Sequence, residues 1–131
     1  MKKSRLLVFA GLLALPLAAS PAFAGDAAKG EALANKKCTT CHAFPTFKKK
    51  GKIGPPIGAG IVGSKAGQDA NFKYSKALKK AADGGLVWDE ANLDKFLESP
   101  KKMIKGTKMM AFPGFKKEAD RKNVIAFLKT L

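Results

Sequence analysis

Behind Asp26 the apolar side chains fall into short helical registers separated by long stretches that have no register. Ala27, Ala28, Leu33 and Ala34 share one face with Gly30. Asp26 stands where a carboxylate can take up the free amides of a first turn, so a helix is predicted from there toward Lys37. That face is made of small residues, which suits close packing against another helix, with Gly30 at the contact. Ala77, Leu78, Ala81 and Ala82 mark a second helix over 75–83, stopped by Gly84-Gly85. Leu93, Phe96 and Leu97 follow Asp89 at i, i+3, i+4 spacing and mark a third, which Pro100 closes. Val124, Ile125, Phe127, Leu128 and Leu131 line one face of a last helix over 118–131, with charges opposite.

The stretches between are of a different kind. Residues 44–67 hold Gly54-Pro55-Pro56, Gly58, Gly60, Gly63 and Gly67, and residues 101–115 hold Met103, Gly106, Met109, Met110, Pro113 and Gly114. Such composition breaks helix and strand alike. Nowhere does an alternating run suggest a sheet, so the expected class is all-α, a few short helices joined by long loops. In a small domain, loops of that length are expected to be functional.

With 131 residues the chain has room for one small domain, which excludes a two-domain enzyme or a polytopic membrane protein. Its first residues read as an export signal. Lys2, Lys3 and Arg5 are a basic head, Leu6 to Leu17 an apolar run of about a dozen residues where a membrane span needs about 20, and Ala22-Phe23-Ala24 a small-x-small cleavage site. The expectation is a cleaved signal at 1–24, a single domain at 25–131, a periplasmic destination and no stable membrane insertion. A domain of that size is marginal without help, and two cysteines are too few for a disulfide framework.

Both cysteines and the only histidine stand together in Cys38-Thr39-Thr40-Cys41-His42. Two thiols at this spacing can each add to one vinyl group of a single haem, which places the adjoining imidazole beneath the iron. A thioredoxin-like dithiol would need strands that the chain lacks, a structural zinc would need a fourth ligand, and a simple disulfide would leave His42 unexplained. With no second histidine, the sixth position on iron falls to Met103, Met109 or Met110. A lysine amine is a poorer candidate because it must first lose a proton.

These residues, with Gly25-Asp26, Lys29-Gly30, Gly54-Pro55, Tyr74, Trp88, Pro100-Lys101-Lys102, Gly106-Thr107-Lys108-Met109 and Val124-Ile125-Ala126-Phe127-Leu128 in the same order, resemble the class I cytochromes c over residues 25–131. The similarity is to the mitochondrial-like and bacterial cytochrome c2 group. It implies the cytochrome c fold wrapped around one haem c, attached through thioethers at Cys38 and Cys41. It implies His42 and Met109 as the iron ligands, and Met103 and Met110 as packing residues. It also implies the Pro55 carbonyl as acceptor for the His42 ring, and Tyr74 and Trp88 as partners of a haem propionate. The chain departs from the family at Phe96, where a tyrosine often stands, at Leu78, often an asparagine, and at Ser64, often an arginine. Fewer polar groups around iron bear on its reduction potential.

The formal net charge of +15 sits largely in the two irregular stretches and their flanks. Lys36, Lys37, Lys48, Lys49, Lys50 and Lys52 crowd one, and Lys101, Lys102, Lys105, Lys108, Lys116 and Lys117 the other, a basic collar that would steer the protein onto acidic faces of redox complexes. The expected function is electron carriage rather than enzyme catalysis, by a monomer whose encounters are transient. Nucleic acid is excluded as a partner because the lysines are not interleaved with stacking aromatics. The alternative is a haem enzyme or ligand sensor, which would need a labile sixth site and a distal acid-base group.

Overall fold

Helices begin in this chain where a side chain can take up the amides that a first turn leaves free. A computed structural model describes residues 24–131, so the export-signal reading lies outside the described residues except at Ala24. Helix α1 spans Ala27–Lys37, and the Asp26 carboxylate accepts from the Lys29 N–H at 3.1 Å. That hydrogen bond holds the Asp26 carboxyl below the usual carboxylate range. Helix α2 spans Lys76–Asp83 with Ser75 as its cap, and α3 spans Glu90–Glu98 with Asp89 accepting from the Asn92 N–H at 2.7 Å. The C-terminal helix starts without a side-chain cap, but Glu118 and Asp120 place negative charge in its first turn.

One stretch differs from expectation. Residues after Pro100 were expected to be irregular, yet Pro100–Met103 form a short helix, α4, and the C-terminal helix Glu118–Leu128 is therefore α5. Ser99 caps α4 and Pro100 takes its first position, where a missing N–H costs nothing. Pro100 thus ends one helix and starts another. The 44–67 stretch stays irregular, and isolated antiparallel bridges at Ala43–Lys50 and Lys65–Val87 are the only strand-like pairings among the described residues.

Helix α1 crosses α5 with nothing between the backbones at Gly30. A Cβ there would collide with the Asn123 carbonyl, and the Asn123 side chain accepts the Asp26 N–H at 2.7 Å. Leu93 and Leu97 of α3 and Val124, Phe127 and Leu128 of α5 are buried around this crossing, with Leu33 and Phe96 half-buried against them. Phe47 stacks on Phe127 at 5.7 Å and meets Phe44 at 5.2 Å, which seals the start of the long loop onto α5.

A buried cation ties α3 to α5. Arg121 Nε donates to Asp94 at 2.7 Å, and its Nη1 donates to the carbonyls of Phe115 and Lys116 at 3.1 and 3.2 Å. The carboxylate and carbonyls replace the water that the guanidinium has lost, and the Asp94 bond pushes its pKa further up. The chain between α4 and α5 is therefore pinned at its last turn.

In an ordinary helix interior Gly→Ala gains roughly 1 kcal/mol. Gly30→Ala is expected to do the reverse and lower unfolding free energy by about 1–3 kcal/mol through overpacking, read as a fall in denaturant midpoint at unchanged m-value.

Candidate cofactor site

A cavity of about 530 Å³ lies inside these helices and is walled on one side by the end of α1 and the 54–61 loop. Other walls come from α2, α3, α5 and the loop carrying Met109. Cys38 follows α1 directly, so the helix fixes where the motif starts; the Cys41 and His42 N–H groups both donate to the Cys38 carbonyl, at 3.0 and 2.8 Å, and coil the five residues into a turn. Thr39 is buried and its hydroxyl donates to the Asn35 carbonyl at 2.7 Å, which holds that turn to the helix.

His42 lies on the wall with its Nδ1 2.7 Å from the Pro55 carbonyl. A carbonyl can only accept, so Nδ1 carries the proton and Nε2 keeps a free lone pair. Burial lowers the His42 pKa, against the smaller opposing pull of the Pro55 bond, so the ring is held in the neutral form that can ligate a metal. Gly54 supplies the space: a Cβ there would sit 2.5 Å from His42 Cε1. The Gly54 N–H donates to the Cys41 carbonyl at 2.8 Å and fastens the 54–55 segment beneath the motif.

Burial pushes the Cys38 thiol up to about 11, with the neighbouring Cys41 adding to the effect. A dithiol oxidoreductase needs the opposite, a depressed thiol, so the site is unsuited to that chemistry.

All of the sequence-selected residues line this cavity: Cys38, Cys41, His42, Pro55, Tyr74, Trp88 and Met109. The Tyr74 hydroxyl accepts the Asp69 N–H at 3.1 Å and keeps its own hydrogen available to donate. Trp88 is buried and packs on Phe96 with ring centroids 4.8 Å apart. Phe96, Leu78 and Ser64, the departures from the family pattern, are on the wall too, and the Ser64 hydroxyl is turned to the Ile61 carbonyl at 2.8 Å.

The three methionines separate clearly. Met109 lines the cavity, and its N–H donates to the Thr107 hydroxyl at 3.2 Å. Met103 packs against the core. Met110, expected as a packing residue, is instead 61% exposed, because successive residues of this turn point to opposite sides and Met109 takes the inward one. Thr107, buried at 6% exposure, is the site residue that periodicity could not find; its only signal was its place in the Gly106-Thr107-Lys108-Met109 run.

Residues 27–131 match the cytochrome c family model. The chain belongs to the cytochrome c family. It is 49% identical over 117 residues to the cytochrome c2 of Rhodomicrobium vannielii, covering 89% of this chain and 88% of that one. It is 48% identical over 104 residues to the cytochrome c2 of Agrobacterium tumefaciens, covering 79% and 90%. Among solved structures, cytochrome cH from Methylobacterium extorquens superposes with a TM-score of 0.68 at 44% identity, covering 82% of this chain and all of that one.

As a cytochrome c the protein binds one haem c, and Cys38 and Cys41 have the spacing that two thioether attachments require. The cavity suits that group on its own terms: its wall is mainly apolar, a glycine leaves room at the imidazole, and both thiols stand beside it. Replacing Cys38 and Cys41 together by Ala is expected to remove the haem mass increment from the denatured, exported protein. The same change should leave a chain that unfolds at lower denaturant; a well-folded double variant would count against a core organised around this cavity.

Proposed function

We propose that this cytochrome is a periplasmic one-electron carrier whose iron is held by His42 and Met109, and that it makes and breaks no substrate bonds. The observation that carries the proposal is the state of the His42 ring: neutral, with its proton committed to the Pro55 carbonyl and its other nitrogen free. The haem supplies the one-electron chemistry. What the chain supplies is a fixed imidazole, a thioether on another loop, and apolar walls from Leu93, Leu97, Val124 and Leu128 that keep water out. With Met109 as a ligand the iron has no open position for substrate, and no second imidazole exists to act as a distal acid or base.

The periplasmic assignment rests on the export signal read in residues 1–24; no helix among the described residues is long and apolar enough to cross a membrane. Partner choice rests on charge. The collar lysines, from Lys36 to Lys52 and from Lys101 to Lys117, are all exposed. Exposed ion pairs are worth only about 0–1 kcal/mol each, so acidic partner faces are met quickly and left quickly. That suits a carrier that must depart after each electron.

Met109→Ala is expected to admit carbon monoxide to the reduced protein and lower the potential, whereas Met110→Ala leaves both near the parent values. The reverse pattern would move the ligand by one residue. Association with an acidic redox partner is expected to slow steeply between low and physiological ionic strength, measured by stopped flow; a flat dependence would count against the collar.

A further inference from the structure

Lys108 precedes Met109 and looks, from sequence, like one more lysine of the collar. Its geometry is different. The Nζ donates to the Lys73 backbone carbonyl at 2.6 Å, and the same ammonium lies 5.7 Å from the centroid of the Phe72 ring. Two favourable contacts for one cation, both across a gap of 35 positions in sequence, fix a long side chain that solvent would otherwise leave free.

What Lys108 grips is itself rigid. The Asp69 N–H donates to the Tyr74 hydroxyl, the Asn71 N–H donates to the Asp69 carboxylate at 2.9 Å, and Phe72 meets Tyr74 edge-on at 4.9 Å, so residues 69–74 form a closed loop. On the other side, the Thr107 N–H donates to the Ile104 carbonyl at 3.1 Å, and the Thr107 hydroxyl takes the Met109 N–H. Phe72, Tyr74, Thr107, Lys108 and Met109 all line the one cavity. Lys108 therefore bridges two walls that share no helix.

We propose that Lys108 is a positioning residue: by clasping the Lys73 carbonyl and the Phe72 face it holds the 106–109 turn inward and keeps the Met109 thioether on the cavity side. This rests on the reading of Met109 as the sixth ligand. Without the clasp only the Thr107 bonds orient the turn, and Met109 swings outward more often. A hydrogen bond to a cation and an exposed cation–π contact together set the expected change at about tenfold in the fraction of time Met109 is away.

The test uses the haem-loaded protein. Imidazole added to the oxidised form can bind iron only while Met109 is away, so its entry rate reads that fraction, and the far-red sulfur-to-iron absorption band reads bond integrity. Lys108→Ala is expected to speed imidazole entry about tenfold, Lys108→Arg to stay near the parent, and Phe72→Leu to speed it about threefold. Adding Phe72→Leu to Lys108→Ala should change nothing further, since the ring acts through the cation. Lys79→Ala, which removes the same charge from exposed α2, serves as the electrostatic control. An unchanged entry rate in Lys108→Ala, or an equal acceleration in Lys79→Ala, overturns the clasp. Met109→Ala distinguishes the two readings. If it leaves the far-red band in place, the ligand assignment fails; if it abolishes the band while Lys108→Ala has no effect, only the clasp fails.

Discussion

The hydrogen bond between the His42 ring and the Pro55 carbonyl joins the end of a helix to a long loop that no helix supports. Because a carbonyl cannot donate, it settles which nitrogen holds the proton, and burial settles that there is only one proton to hold. Gly54 makes the approach possible, and its own N–H returns to the Cys41 carbonyl. Three small constraints on one ring thereby fix the loop, the tautomer and the face that the motif presents. The apolar walls then have a defined centre to enclose.

Charge is divided in a way that follows from desolvation. Inside, ionisation is suppressed: Cys38 is pushed up to about 11 and His42 is held neutral. The buried exception, Arg121, remains charged because Asp94 and two carbonyls replace its hydration. Outside, the lysines stay in water, where they cost little and act at a distance on an approaching acidic surface. Lys108 stands between these regimes, exposed in position but spoken for in its bonding.

What could be read from the sequence was whatever is encoded locally. The caps at Asp26, Ser75 and Asp89 and the apolar spacing behind them placed helices at nearly their observed ends, and Gly30 was marked by being the smallest residue on a small-residue face. Helix α4 escaped because one turn has no period to detect, although Ser99-Pro100 is the usual start of a helix. Cys38, Cys41 and His42 were legible because five consecutive residues carry their chemistry. Pro55, Tyr74, Trp88 and Met109 meet only in the fold, and it was the resemblance to a known family, not spacing, that picked them out. Arg121 with Asp94, and Lys108 with the Lys73 carbonyl, had no signal, since partners far apart in sequence, or a backbone oxygen, leave no pattern in side-chain order.

The crossing of α1 and α5 has a temporal meaning. The thiols belong to the first third of the domain, whereas Asn123 and Phe127, against which Gly30 must close, arrive among the last residues of the chain. An emerging polypeptide therefore exposes its two sulfurs, as uncrowded and more readily ionised groups, for nearly the whole of its passage, and hides them only when the C-terminal helix docks. Covalent work on those atoms belongs to that interval, and the final turn of helix is the bolt that ends it.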